Sequence, residues 1–168
     1  MKGGRPVKWM MFLTMVALAA GCSWFPFGPD LPDRLVRQVT QSDYCGLAKP
    51  GMVYIESADQ LAEFAARPNQ NLAIEQVRTL DFDREHALVV GLGQKPTGGF
   101  GLTLANSKLL DDTLKLAVIL RRPAADAMVT QALTSPCAVL AITPDYWQTL
   151  EVSGNGLDTI RLQPTRNR

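Results

Sequence analysis

Between residues 86 and 162 the chain is a series of short apolar stretches with little room between them. Residues 87–92 are apolar without a break. Phe100, Leu102 and Leu104 then alternate with Gly101, Thr103 and Ala105. Leu114, Leu116, Val118 and Leu120 alternate again, with Lys115 and Arg121 on the other side, and residues 137–143 form another apolar run. Period-two alternation marks a half-buried strand, and a short unbroken apolar run marks a central one. Parallel neighbours need a crossover of about a dozen residues or more. The links here are shorter, so the spacing predicts a mainly antiparallel sheet. Asp111-Asp112 reads as a hairpin turn. Asn155-Gly156 reads as the turn of a C-terminal hairpin between Leu150-Glu151-Val152 and residues 159–162.

Upstream, residues 35–41 and 52–56 read as strands around a turn at 42–46. Ser57 opens a helix with Gln60 as its capping-box partner. Leu61, Phe64 and Ala65 recur at helical spacing, and Pro68 ends the helix. A weaker helical segment covers 72–80, with Ala73, Val77 and Leu80 on one side. The expected fold is mainly β with one or two helices, an antiparallel β-sandwich or half-open barrel whose helices are inserted near its start. A chain 46% hydrophobic and 20% charged has the composition of a globular domain rather than of a disordered one.

The first residues read as an address. Lys2, Arg5 and Lys8 precede an uncharged stretch, residues 9–20, too short to span a bilayer, which takes about 20 residues, but suited to a signal-peptide core. The stretch ends in Leu18-Ala19-Ala20-Gly21-Cys22, which resembles a bacterial lipobox, with Ala19 where leucine is commonest. Lipidation of Cys22 is the expectation. Secretory cleavage after Ala17-Leu18-Ala19, or a membrane helix, are the competing readings. The expected organisation is a lipoprotein signal peptide at 1–21, a lipidated tether rich in Pro and aromatic residues at 22–33, a single β-rich domain at 34–163 and a short basic tail at 164–168. Ser23 after the cysteine is consistent with sorting to the outer membrane, facing the periplasm. Without the leader, 17 basic side chains fall to 14 against 16 acidic ones, so a formal charge of +1 becomes −2. Neither value supports nucleic-acid binding, which needs a basic excess.

With Cys22 assigned to lipid, Cys45 and Cys137 remain. In an oxidising compartment a disulfide is the favoured reading, contributing about 4 kcal/mol at best; two buried free thiols are the alternative. The one histidine, His86, opens an apolar strand and reads as structural, and no cysteine pair has metal-ligand spacing. Asp81, Asp83 and Glu85 read as a solvated turn, since a calcium loop needs more ligands. No nucleophile elbow or catalytic set is visible, so no enzyme activity, metal or cofactor is expected.

The most distinctive stretch is Gly91-Leu92-Gly93-Gln94-Lys95-Pro96-Thr97-Gly98-Gly99-Phe100. It reads either as a tight hairpin whose glycines satisfy turn geometry, or as a loop whose open backbone meets a ligand or partner. Arg121-Arg122-Pro123 suggests a basic patch beside it, and Thr134-Ser135-Pro136-Cys137 a second loop, with Pro136 a candidate for a cis bond. Lys95-Pro96-Thr97-Gly98-Gly99-Phe100, Pro123 and the Leu133-Thr134-Ser135-Pro136 approach to a strand resemble the C-terminal domain of the PrcB-type protease-complex lipoproteins, over about residues 86–143. Phe100 stands where that family has tyrosine, and Cys137 where it often has tyrosine. The resemblance implies a non-catalytic domain on an envelope lipoprotein that binds a protein partner, a protease or protease complex. Lys95, Pro96, Thr97, Gly98, Gly99 and Phe100 are the candidate contact residues. Lys95 to Phe100 is also similar to a loop of the chagasin-type cysteine-protease inhibitors. Protease inhibition, or binding of cell-wall material or another small ligand, are the alternatives.

Overall fold

The computed structural model describes residues 35–164. The leader, Cys22, the tether and the tail beyond Pro164 lie outside the described residues. In chain order the elements are β1 (Val36–Ser42), β2 (Pro50–Ile55), α1 (Ala58–Ala65), α2 (Ile74–Arg78), β3 (His86–Leu92), β4 (Gly101–Leu110), β5 (Thr113–Arg121), β6 (Cys137–Ile142), β7 (Thr149–Gly154) and β8 (Leu157–Leu162). They make two four-stranded sheets, ordered β1-β6-β3-β2 and β4-β5-β7-β8. The sheets face each other without closing into a barrel, so of the two expected forms the sandwich is the one adopted.

The apolar pattern decides which face each strand buries. In β5, Leu114, Leu116 and Val118 are buried while Lys115, Ala117 and Ile119 are exposed, as expected for a strand with one wet face. Every residue of β6, and every residue of β3 after His86, is buried. The reason is a third layer. Leu88, Val90, Leu92, Ala138, Leu140 and Ile142 point into the core between the sheets, with Leu102, Trp147, Leu150 and Val152. Ala87, Val89, Val139 and Ala141 point the other way and meet Leu61 and Phe64 of α1 and Val77 of α2. Burying a Leu- or Phe-sized side chain contributes about 1.5–3 kcal/mol, so sheet one is stabilised from both sides.

Local signals place the helices. Ser57 caps α1, its Oγ accepting from Gln60 N at 3.2 Å, and Gln60 Oε1 accepts from Glu56 N at 2.8 Å, one residue upstream of the expected capping-box partner. The second helix is shorter than the 72–80 expected, because Ala73 at its start supplies no side-chain cap.

One reading of the connectivity is corrected, and the mainly antiparallel pairing holds with a single exception. Residues 93–100 are not a hairpin: β3 and β4 belong to different sheets, and the glycine stretch carries the chain from one to the other. The antiparallel rule also has one exception. β5 pairs with β7 in parallel, Thr113 opposite Thr149 through Val118 opposite Gly154. The required crossover exists, but it runs through sheet one as β6 rather than through a helix. The remaining pairs are antiparallel, and the Asn155-Gly156 turn joins β7 to β8 as expected, with Gly156 at φ +85°.

Candidate functional site

The strand registers bring Ser42, Pro50, Leu92 and Cys137 to one end of sheet one. The loops leaving that end are stitched together. Cys45 and Cys137 form a disulfide with Cα atoms 6.0 Å apart, joining residues 92 apart in sequence, and both are buried. Ser135, 7% exposed, is the polar centre: its Oγ accepts from Cys45 N at 3.0 Å and Gly46 N at 3.1 Å, and its N donates to Asp43 O at 2.8 Å. Removing a buried acceptor of this kind costs about 1–3 kcal/mol. The bond before Pro136 is trans, because no peptide bond among the described residues is cis.

The glycine stretch is tied to the long connection between β5 and β6. Lys95 and Thr134 exchange both main-chain hydrogen bonds, at 2.8 and 3.0 Å, and Gly98 N donates to Thr130 O at 2.9 Å. Thr134 Oγ1 donates to Thr97 O at 2.9 Å, and Gln94 N donates to Ala48 O at 3.1 Å. The glycines serve this packing. Gly93 lies at φ +69°, and a Cβ there would stand 2.7 Å from Pro50 Cδ. Gly99 lies at φ +86°, and its Cβ would stand 3.0 Å from both Pro123 Cβ and Val129 Cγ1. Both positions need a residue without a side chain.

The six candidate contact residues therefore differ. Gly98 is buried, and Phe100 is half-buried against the inter-sheet core. Lys95 is half-buried with Nζ 5.9 Å from the centre of the Phe100 ring, within cation–π range. Pro96 is exposed and Thr97 half-buried. The expected basic patch divides: the Arg121 guanidinium lies over Gly101 beside the loop, whereas Arg122 lies over the β7–β8 turn at Gly156.

Other sequence candidates fall outside this end. His86 Nδ1 lies 2.7 Å from Tyr54 Oη, and Tyr54 also meets Trp147 edge-on with ring centres 5.8 Å apart. Glu85 pairs with Arg37 at 2.7 Å, and Asp81 Oδ1 accepts from Asp83 N. Among the described residues no group of three or more His, Cys, Asp or Glu could hold a metal ion, and no helix is long and apolar enough to cross a membrane.

Sequence reasoning missed the cleft beside the loop. About 400 Å³ in volume, it is lined by Tyr44, Asn69, Gln70, Asn71, Gln94, Leu133, Thr134 and Ser135. Asn69, at φ +58°, turns the chain after α1 toward it. These residues come from four separate loops, and the only hint in the sequence was their concentration of carboxamides. Leu133 (67%) and Met128 (102%) are apolar side chains left exposed on the 122–136 connection. A larger cleft of about 520 Å³ lies at the opposite end, around Asp145, Tyr146 and Gln163, away from the motif.

Fold and site together define a two-sheet β domain, backed by helices, that holds a glycine loop rigidly at one end. A protein-family model described as PrcB C-terminal matches residues 87–143, about a third of the chain. The match takes in β3 and β6, neighbours in sheet one, β4 and β5, neighbours in sheet two, and both loops just described. No curated protein and no solved structure matches the chain.

Proposed function

We propose that this chain is an envelope-anchored lipoprotein whose β domain docks, without catalysis of its own, onto a protease or protease complex. The anchor is lipid on Cys22 in the outer membrane, with the domain in the periplasm. The observation that carries the docking reading is the fastening of residues 93–100 to residues 129–136 by main-chain hydrogen bonds, inside the segment that matches PrcB C-terminal. A loop already held in one conformation loses little entropy on binding a partner. Two features offer contact area on the two fastened segments: exposed Pro96 on the glycine stretch, and exposed Met128 and Leu133 on the 122–136 connection. The glycines hold the loop's shape, and the exposed residues touch the partner.

The test is capture from native membranes with the full chain. A peptidase subunit should co-purify with the wild type and fall at least tenfold with Pro96→Asp combined with Leu133→Asp, while thermal melting stays unchanged. Equal recovery with that variant, or no peptidase in the captured set, overturns the reading.

A further inference from the structure

We infer that the cleft beside the glycine loop is a binding site for an uncharged oligosaccharide. The inference does not depend on the docking reading. None of the eight lining residues carries a charge, so the wall offers no opposite charge to pair with a phosphate, carboxylate or ammonium group and favours a neutral ligand. The polar groups are neutral carboxamides and hydroxyls. Gln70 is spent within the protein, donating to Ala65 O and accepting from Leu72 N. The side-chain amides of Asn69, Asn71 and Gln94 and the Tyr44 hydroxyl have no partner among the described residues, and all four residues are exposed. A carboxamide offers two donors and an acceptor, and a phenol one of each. Such groups pair with sugar hydroxyl and acetamido groups, which also both donate and accept. Tyr44 adds an aromatic surface 37% exposed, against which the apolar face of a pyranose ring stacks. The volume of about 400 Å³ lies within the range of small-ligand sites, about 300–1,000 Å³.

The wall argues against an extended peptide. Peptide strands bind by adding to a free edge, and here much of the main chain is already paired. Thr134 N and O are both taken by Lys95, Ser135 N by Asp43 O, Ser135 O by Cys45 N, and Tyr44 O by Asn71 N. The side-chain amides and the Tyr44 ring are left to meet a ligand.

Calorimetry on the full chain, in a detergent without a sugar headgroup, tests this. The probes are chitotetraose, maltotetraose and tetra-alanine. Chitotetraose or maltotetraose should bind, and their comparison separates acetamido sugars from plain glucans. Tyr44→Ala and, independently, Gln94→Ala should each weaken binding at least tenfold, with melting unchanged. Gln94 is a surface side chain whose truncation leaves its main-chain bond to Ala48 intact. Failure of both sugars to bind at millimolar concentration overturns the inference. So does sugar binding that survives both substitutions, which would place it elsewhere, or binding of tetra-alanine alone, which would make the cleft a peptide site.

Discussion

At the scale of single residues, the glycine motif divides into parts that hold and parts that show. Gly99→Ala forces a side chain into φ +86° and against Pro123 and Val129. It should cost about 1–3 kcal/mol, read as a lower urea midpoint with an unchanged slope. The Lys-Pro-Thr-Gly-Gly-Phe order was visible from the sequence. That Gly98 would be buried and Pro96 exposed was not, because the segment covering the glycines lies some thirty residues further along. Glu151 supplies a pH signature. Arg161 Nε donates to Glu151 Oε2 at 2.8 Å, and this bond, with the charges of Arg161 and Lys115, holds the carboxyl below its ordinary value of 4.5 against the opposing effect of desolvation. A depressed folded value means the stabilisation is complete above the ordinary value and fades as pH falls through the depressed one. Carboxyl NMR should show the Glu151 midpoint rising toward 4.5 in Arg161→Met.

At the scale of elements, burial was legible wherever one strand's own pattern sufficed. The alternation in β5 gave its wet face, and the unbroken apolar runs marked β3 and β6 as central. Pairing across sheets was not legible, since no local pattern tells a chain which sheet its next strand joins. For that reason the hairpin expected at 93–100 is a bridge, and the β5–β7 pair is parallel. The pairing makes a prediction. A chain ending at Ile142 lacks β7 and β8, which opens the β5 ladder from Thr113 to Val118 and uncovers the core facing Leu150 and Val152. Open edges of this kind promote association. Size-exclusion chromatography should show aggregates for this truncated chain and a monomer for the full one; a monomeric truncation with a cooperative melt would refute the pairing. The segment that matches the family model holds two strand pairs, one from each sheet.

At the scale of the molecule, attachment is a chemical question. Intact mass spectrometry of the chain made in a bacterial envelope should show added acyl chains that vanish in Cys22→Ala, and a mature protein of unmodified mass would refute the anchor. The course of β1 bears on what such an anchor would achieve. The chain enters this seven-residue strand at Val36 and reaches the fastened loops only at Ser42, about 20 Å further on at the rise of an extended strand. The point where the chain enters the domain and the fastened loops therefore occupy opposite ends of sheet one. A molecule seated on the loop or in the cleft would thus sit a full strand's length from the place where the chain enters the domain, and binding there would leave that entry unobstructed.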